Sequence, residues 1–161
     1  MGLSSLGIFH TIIGVAAIVA AVVDFIKFGK INLNTLSGKI YFYGTIITSL
    51  TSLGISKHGG FNPGHVFAVF IVFFVLGAYF LHTKRKISGR ARYFENLGLS
   101  FSFFLSLVPT VNETFTRVPL GHPLAKDIKD PVIANTLLVL LLLFIIGSVY
   151  QFRKQRGINK A

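Results

Sequence analysis

HGGFNPGHVFAVFIVFFVLGAYFLHTKRK, residues 58–86, is the stretch whose reading decides the fold. Asn62 is a natural N-cap, and Pro63 suits the first helical position, where a missing N–H costs nothing, so a helix is expected to begin at Pro63. From Val66 to Leu81 no side chain is charged. With its flanks, residues 63–82, the segment is about twenty residues long. At about 1.5 Å per residue that crosses a hydrocarbon core of roughly 30 Å. Histidines stand at both ends of the span, and a basic run closes it.

The composition of the whole chain agrees with a lipid solvent. The 161 residues are 52% hydrophobic and 13% charged, and the mean hydropathy is +0.69, too apolar for an ordinary soluble domain. No stretch outside the apolar segments is long enough to bury a core of its own, so a single domain, residues 1–161, is expected. The net charge of +11 is split into short clusters between apolar spans. Anionic lipid headgroups are therefore the partner it implies, and nucleic acid is not. The absence of cysteine excludes disulfides, thiolate metal sites and iron–sulfur ligation. MGLSSL lacks the basic region of a cleavable signal, so the first apolar stretch is expected to be retained.

Four further spans follow from the same criteria, at about residues 6–28, 38–55, 93–111 and 131–152. The class is all-α, an integral membrane bundle of five transmembrane helices. In the first span Gly7, His10, Gly14, Ala17, Ala21 and Asp24 share one face, with small residues in the middle and a polar group near each end. Such a face lets another helix approach closely in lipid. Ser37 is the expected cap of the second span, whose outer half is rich in hydroxyls; these either bond to the helix backbone and its neighbours or line a hydrated wall. Pro109 is expected to bend or end the fourth helix. The fifth, with its unbroken Leu/Ile/Val/Phe run from Leu137 to Ile146, is expected to meet lipid or a partner subunit. Twelve of the sixteen lysines and arginines fall on one side of this topology and four on the other. By the positive-inside rule the N-terminus is outside and the C-terminus cytoplasmic, in a bacterial inner membrane.

That topology sorts the candidate site residues. His10, His58, His65, His122, Glu113 and Arg117 lie at the outer side, and His82 lies inside. His65 and His82 share a helix face but are seventeen residues, about 25 Å, apart, so no ligand spans both. A haem b between two helices needs one imidazole from each at matching depth, which His10 and His65 satisfy on spacing. A divalent metal on His10, His58, His65 and His122 is the alternative, and a third reading is histidines bonded only to water, lipid phosphate or backbone. Glu113 stands four residues before Arg117, so Arg117 pairs with it or anchors a haem propionate. Asp24 and Glu95 near the inner boundary are expected to pair with Lys27, Lys30 or Arg92, or else to belong to a proton path. There is no nucleophile with an adjacent base, no Gly-rich phosphate loop and no pair of intramembrane carboxylates, so nothing in the sequence points to an enzyme.

LSGKIYFYG, GGFNPGHVFAV and, above all, LVPTVNETFTRVPLGHPLA resemble segments of a family of small bacterial polytopic membrane proteins without an assigned function. The resemblance implies four or five membrane helices and an outer-side polar site at His10, His65, Glu113 and Arg117. Relatives often carry a histidine where this chain has Asn34 and another where it has the basic run around Arg90, so the resemblance gives no support to an inner ligand site. Two functions are carried forward. One is a structural or accessory subunit of a larger membrane complex; the other is a haem- or metal-binding redox protein built on His10 and His65. A transporter fits less well, since five spans show no inverted repeat.

Overall fold

The computed structural model describes residues 4–55, 62–84 and 89–160. It contains five helices: α1 (Ser5–Phe28), α2 (Leu36–Ser52), α3 (Pro63–Thr83), α4 (Ala91–Phe115) and α5 (Pro131–Lys160). Consecutive helices pack against each other from α1 to α5. Four of them, α1, α3, α4 and α5, are long and apolar enough to cross a membrane. The fifth, α2, has 17 residues, about 25 Å of helix.

Local chemistry explains most boundaries. The Ser4 hydroxyl accepts the Gly7 amide at 3.1 Å to start α1, and Gly29, at φ 71°, ends it by returning its N–H to the Phe25 carbonyl; that left-handed conformation suits glycine. At α3 the expected cap forms in full. The Asn62 side chain accepts from the Gly64 and His65 amides, and the Asn62 amide donates to His65 Nδ1 at 3.2 Å.

Three boundaries depart from the expected spans. Helix α2 is capped by Thr35, whose hydroxyl accepts the Gly38 amide, because the Ser37 hydroxyl is turned to Asp24 instead. Pro109 does not end α4. On either side of it hydroxyls bond one turn back, Ser106 to the Ser102 carbonyl and Thr110 to the Ser106 carbonyl, while the carbonyl that the proline deprives of an amide donor is that of Leu105. Helix α5 runs well past residue 152 because Gln151, Gln155 and Asn159, spaced by four, keep one side turned to the bundle, where Gln151 and Gln155 are buried.

The face expected on α1 forms the α1–α2 seam. From one end to the other, His10 meets Thr51, Gly14 lies beside Thr48, Ala17 against Gly44, and Asp24 beside Gly38. This ladder runs the two helices antiparallel along the whole length of α2. Helix α4 closes the bundle from the middle. Phe103 packs on Phe25 of α1 and on Tyr41 of α2, while Phe101 meets Phe74 of α3 and Phe144 of α5. Tyr41, Leu99, Val75 and Ala21 are fully buried in the resulting core. Ser102 uses its proton on the Leu99 carbonyl, so the Tyr41 hydroxyl donates to Ser102 at 2.7 Å.

Candidate functional site

Among the described residues the antiparallel bundle places its carboxyl and imidazole side chains toward its two ends. One end holds the start of α1, the end of α2, the start of α3 and the end of α4. There His10 Nδ1 lies 3.1 Å from the Thr51 hydroxyl. That hydroxyl spends its proton on the Ile47 and Thr48 carbonyls. It therefore accepts from His10, which fixes the ring proton on Nδ1 and leaves a lone pair on Nε2. Because α4 continues past Pro109, Glu113 lies in its last turn, at this end of the bundle. Glu113 in turn pairs with Arg117 at 2.6 Å. The pair is largely exposed, which makes it worth about 0–1 kcal/mol.

His65 belongs to the same end but has a different role. Its Nδ1 accepts the Asn62 amide within the α3 cap, so the neutral ring carries its proton on Nε2 and presents a donor there. Ligation through that nitrogen requires giving up the cap. His122 sits exposed in the α4–α5 loop, its backbone amide donating to the Pro119 carbonyl. His58 lies outside the described residues. Among the described residues no three His, Asp or Glu side chains come together in a group able to hold a metal ion.

The opposite end is more fully built, and the sequence pattern had underrated it. Asp24 is fully buried. Its carboxyl group accepts from the Asn32 amide at 2.8 Å, from the Thr35 hydroxyl at 3.1 and 3.2 Å, and from the Ser37 hydroxyl. The α1–α2 turn is thus wrapped around one carboxyl group. Gly38 is part of the same device: a Cβ there would stand 1.9 Å from the Asn32 carbonyl oxygen.

Glu95 meets His82, Nδ1 to Oε1 at 2.6 Å, with side chains only 13% and 8% exposed. Glu95 is thus hydrogen-bonded to the neighbouring helix, where an ion pair with Arg92 is expected from the sequence. A signal for it existed in the sequence, since His82 falls in the last turn of α3 and Glu95 close to the start of α4, on the two sides of one short connection. In a helical hairpin that places them at one depth.

Helix α5 is pinned at this end. Gln151 accepts from the Ser100 hydroxyl and donates to the Gly29 carbonyl, Lys154 Nζ donates to the Phe28 carbonyl, and Asn159 donates to the Gly89 carbonyl. These bonds supply the last carbonyls of α1 with donors, one of them a cation at the negative end of the helix dipole.

Along α3 and α4, with Phe144 of α5 also in its lining, runs an apolar groove of about 660 Å³. Its walls include Phe73, Phe74, Phe80, Phe94, Phe101 and Phe144, and its floor passes Gly77 and Gly98. Compared with protein-family models, with curated proteins and with solved structures, the chain has no significant match.

Proposed function

We propose that this chain is an integral membrane protein of the bacterial inner membrane with five crossings, and that it serves as a non-catalytic subunit, presenting α5 to a partner helix in the bilayer. One observation carries the reading. Only 6% of the most apolar window of α5 is buried, against 22–28% in the other three long apolar helices, yet α5 is fixed in place by the polar bonds at its end. A helix that only needed lipid around it would not require such an anchorage. Val139, Leu142, Ile146 and Val149 form one exposed stripe along it, at the alternating spacing of three and four that a neighbouring helix meets.

Photocrosslinking groups placed in native membranes at Leu142 and Ile146 are expected to give discrete heavier adducts, and at Val69 and Phe73 of α3 none. Equal labelling of both helices, or no protein adduct from α5, would overturn the reading. The crossing of α2 is supported by the ladder that ties it to α1 from end to end. With α2 included, ten of the thirteen basic residues among those described fall on the end that holds the C-terminus, which makes that end cytoplasmic. The chain has no cysteine, so single-cysteine variants test this directly. Asn34→Cys and Gly157→Cys should label from the cytoplasmic side and Leu53→Cys and Leu120→Cys from outside; labelling of Asn34→Cys and Leu53→Cys from one side would remove α2 from the spans.

A redox role on His10 and His65 is the second reading, favoured by the lone pair that Thr51 leaves on His10 Nε2. It requires His65 to leave its cap. The reduced-minus-oxidised absorption spectrum of the purified protein decides it.

A further inference from the structure

We infer that the groove along α3 and α4 is a binding site for an anionic phospholipid, with an acyl chain along the phenylalanine walls and the headgroup at the basic end of the bundle. Its size falls within the range of about 300–1,000 Å³ that takes small molecules, and its lining is almost wholly apolar. Position along the helices supplies the second argument. Leu81 and Phe80 line the groove on α3, and Lys84 follows one turn later, its ammonium over the Phe80 ring at 5.9 Å. Phe94 lines it on α4, and Arg90 stands one turn before it on the same face. The two helices that supply nearly all of the lining, α3 and α4, therefore each bring a cation to the same end. The opposite half of each helix, from Val66 to Val72 and from Ser102 onward, brings no cation to the groove. An amphiphile with a negative headgroup and an apolar tail has the matching order of charge and hydrocarbon.

Gly77 makes the site testable without disturbing the fold. It lies in the groove, and a Cβ added there meets nothing within 4 Å. A larger side chain at 77 therefore fills the groove and improves the helix propensity of α3.

The purified full-length protein is incubated with equal amounts of phosphatidylglycerol and phosphatidylcholine, and retained lipid is read by native mass spectrometry. One phosphatidylglycerol is expected to be held in preference. Gly77→Leu is expected to lower its retention at least fivefold with an unchanged or raised melting temperature. Lys84→Gln with Arg90→Gln should lower the preference for the anionic lipid by about fivefold per cation. Equal retention of the two lipids, no retained lipid, or retention unaffected by Gly77→Leu would each overturn the site. So would a dimer that Gly77→Leu abolishes, since the groove would then hold a second copy of the chain. Because the chain has no tryptophan, Phe80→Trp gives a second measurement that needs no plugged variant. Brominated phosphatidylglycerol should quench its fluorescence more strongly than brominated phosphatidylcholine, and equal quenching refutes the headgroup assignment.

Discussion

The same chemical change, glycine to alanine, is expected to have opposite signs at two helical positions of this protein. At Gly38 the added methyl carbon would stand 1.9 Å from the Asn32 carbonyl oxygen, 2.5 Å from its carbon and 3.0 Å from Asp24 Oδ2. A backbone carbonyl cannot rotate aside as a side chain can, so the α1–α2 turn has to move by more than an ångström. That movement breaks the 2.8 Å bond from the Asn32 amide to Asp24 and the 3.0 Å bond from the Thr35 amide to the Asn32 carbonyl. A hydrogen bond to a carboxylate is worth about 1.5–3 kcal/mol and a neutral one about 1 kcal/mol, while the helix gains at most about 1 kcal/mol from losing a glycine. The net loss is at least about 1.5–3 kcal/mol. At Gly77 the methyl enters open space, so only the propensity gain remains, up to about 1 kcal/mol of added stability. Unfolding in mixed micelles by titration with a denaturing detergent, followed by circular dichroism, measures both. A Gly38→Ala protein as stable as the parent would show that the turn around Asp24 is soft, and the account of that end would fail.

The buried His82–Glu95 pair supplies another test. Glu95→Ala should cost about 1–3 kcal/mol, as expected when a buried polar group is left without its hydrogen-bond partner, while His82→Phe with Glu95→Leu should restore most of it; a double mutant no better than Glu95→Ala would refute the pairing. Asp130 caps α5 through the Val132 and Lys126 amides, which hold its carboxyl below the usual carboxylate value. Its contribution is thus complete above that ordinary value, near pH 4, and is lost as the pH falls through the lower folded one. The melting temperature should fall less steeply below pH 4 in Asp130→Ala than in the parent, and parallel slopes would contradict the cap. No Soret band is expected in the purified protein, and a band that His10→Ala abolishes would establish the redox reading instead. Asp24→Asn puts an amide where the carboxyl group receives a backbone amide and two hydroxyls; it should destabilise by about 2–3 kcal/mol, read in the same micelle titration, and a neutral result would remove Asp24 from the turn.

The helices themselves were legible from local chemistry. Asn62-Pro63 starts α3 because cap and first-turn geometry depend on adjacent residues alone, and sixteen uncharged residues behind it leave few folds but a buried or membrane helix. The small-residue face of α1 was legible too, since the spacing of three and four is a property of one helix. What one helix cannot contain is the partner. His82 looked solitary because its partner lies on the next helix, and Glu95 was assigned to Arg92 because that residue is close in sequence. Helix α5 reads as featureless through Ile146, and only packing reveals that Gln151, Lys154 and Asn159 are donors to carbonyls of α1 and of the α3–α4 connection. Sequence by itself determined that this chain is helical and that α1, α3, α4 and α5 are apolar enough for a membrane, because periodicity, caps and hydropathy are written within a single segment. The pairing of Glu95 with His82, the wrapping of a turn around Asp24 and the opening of a groove over α4 were decided only by the tertiary structure, because each depends on the depth at which two segments meet.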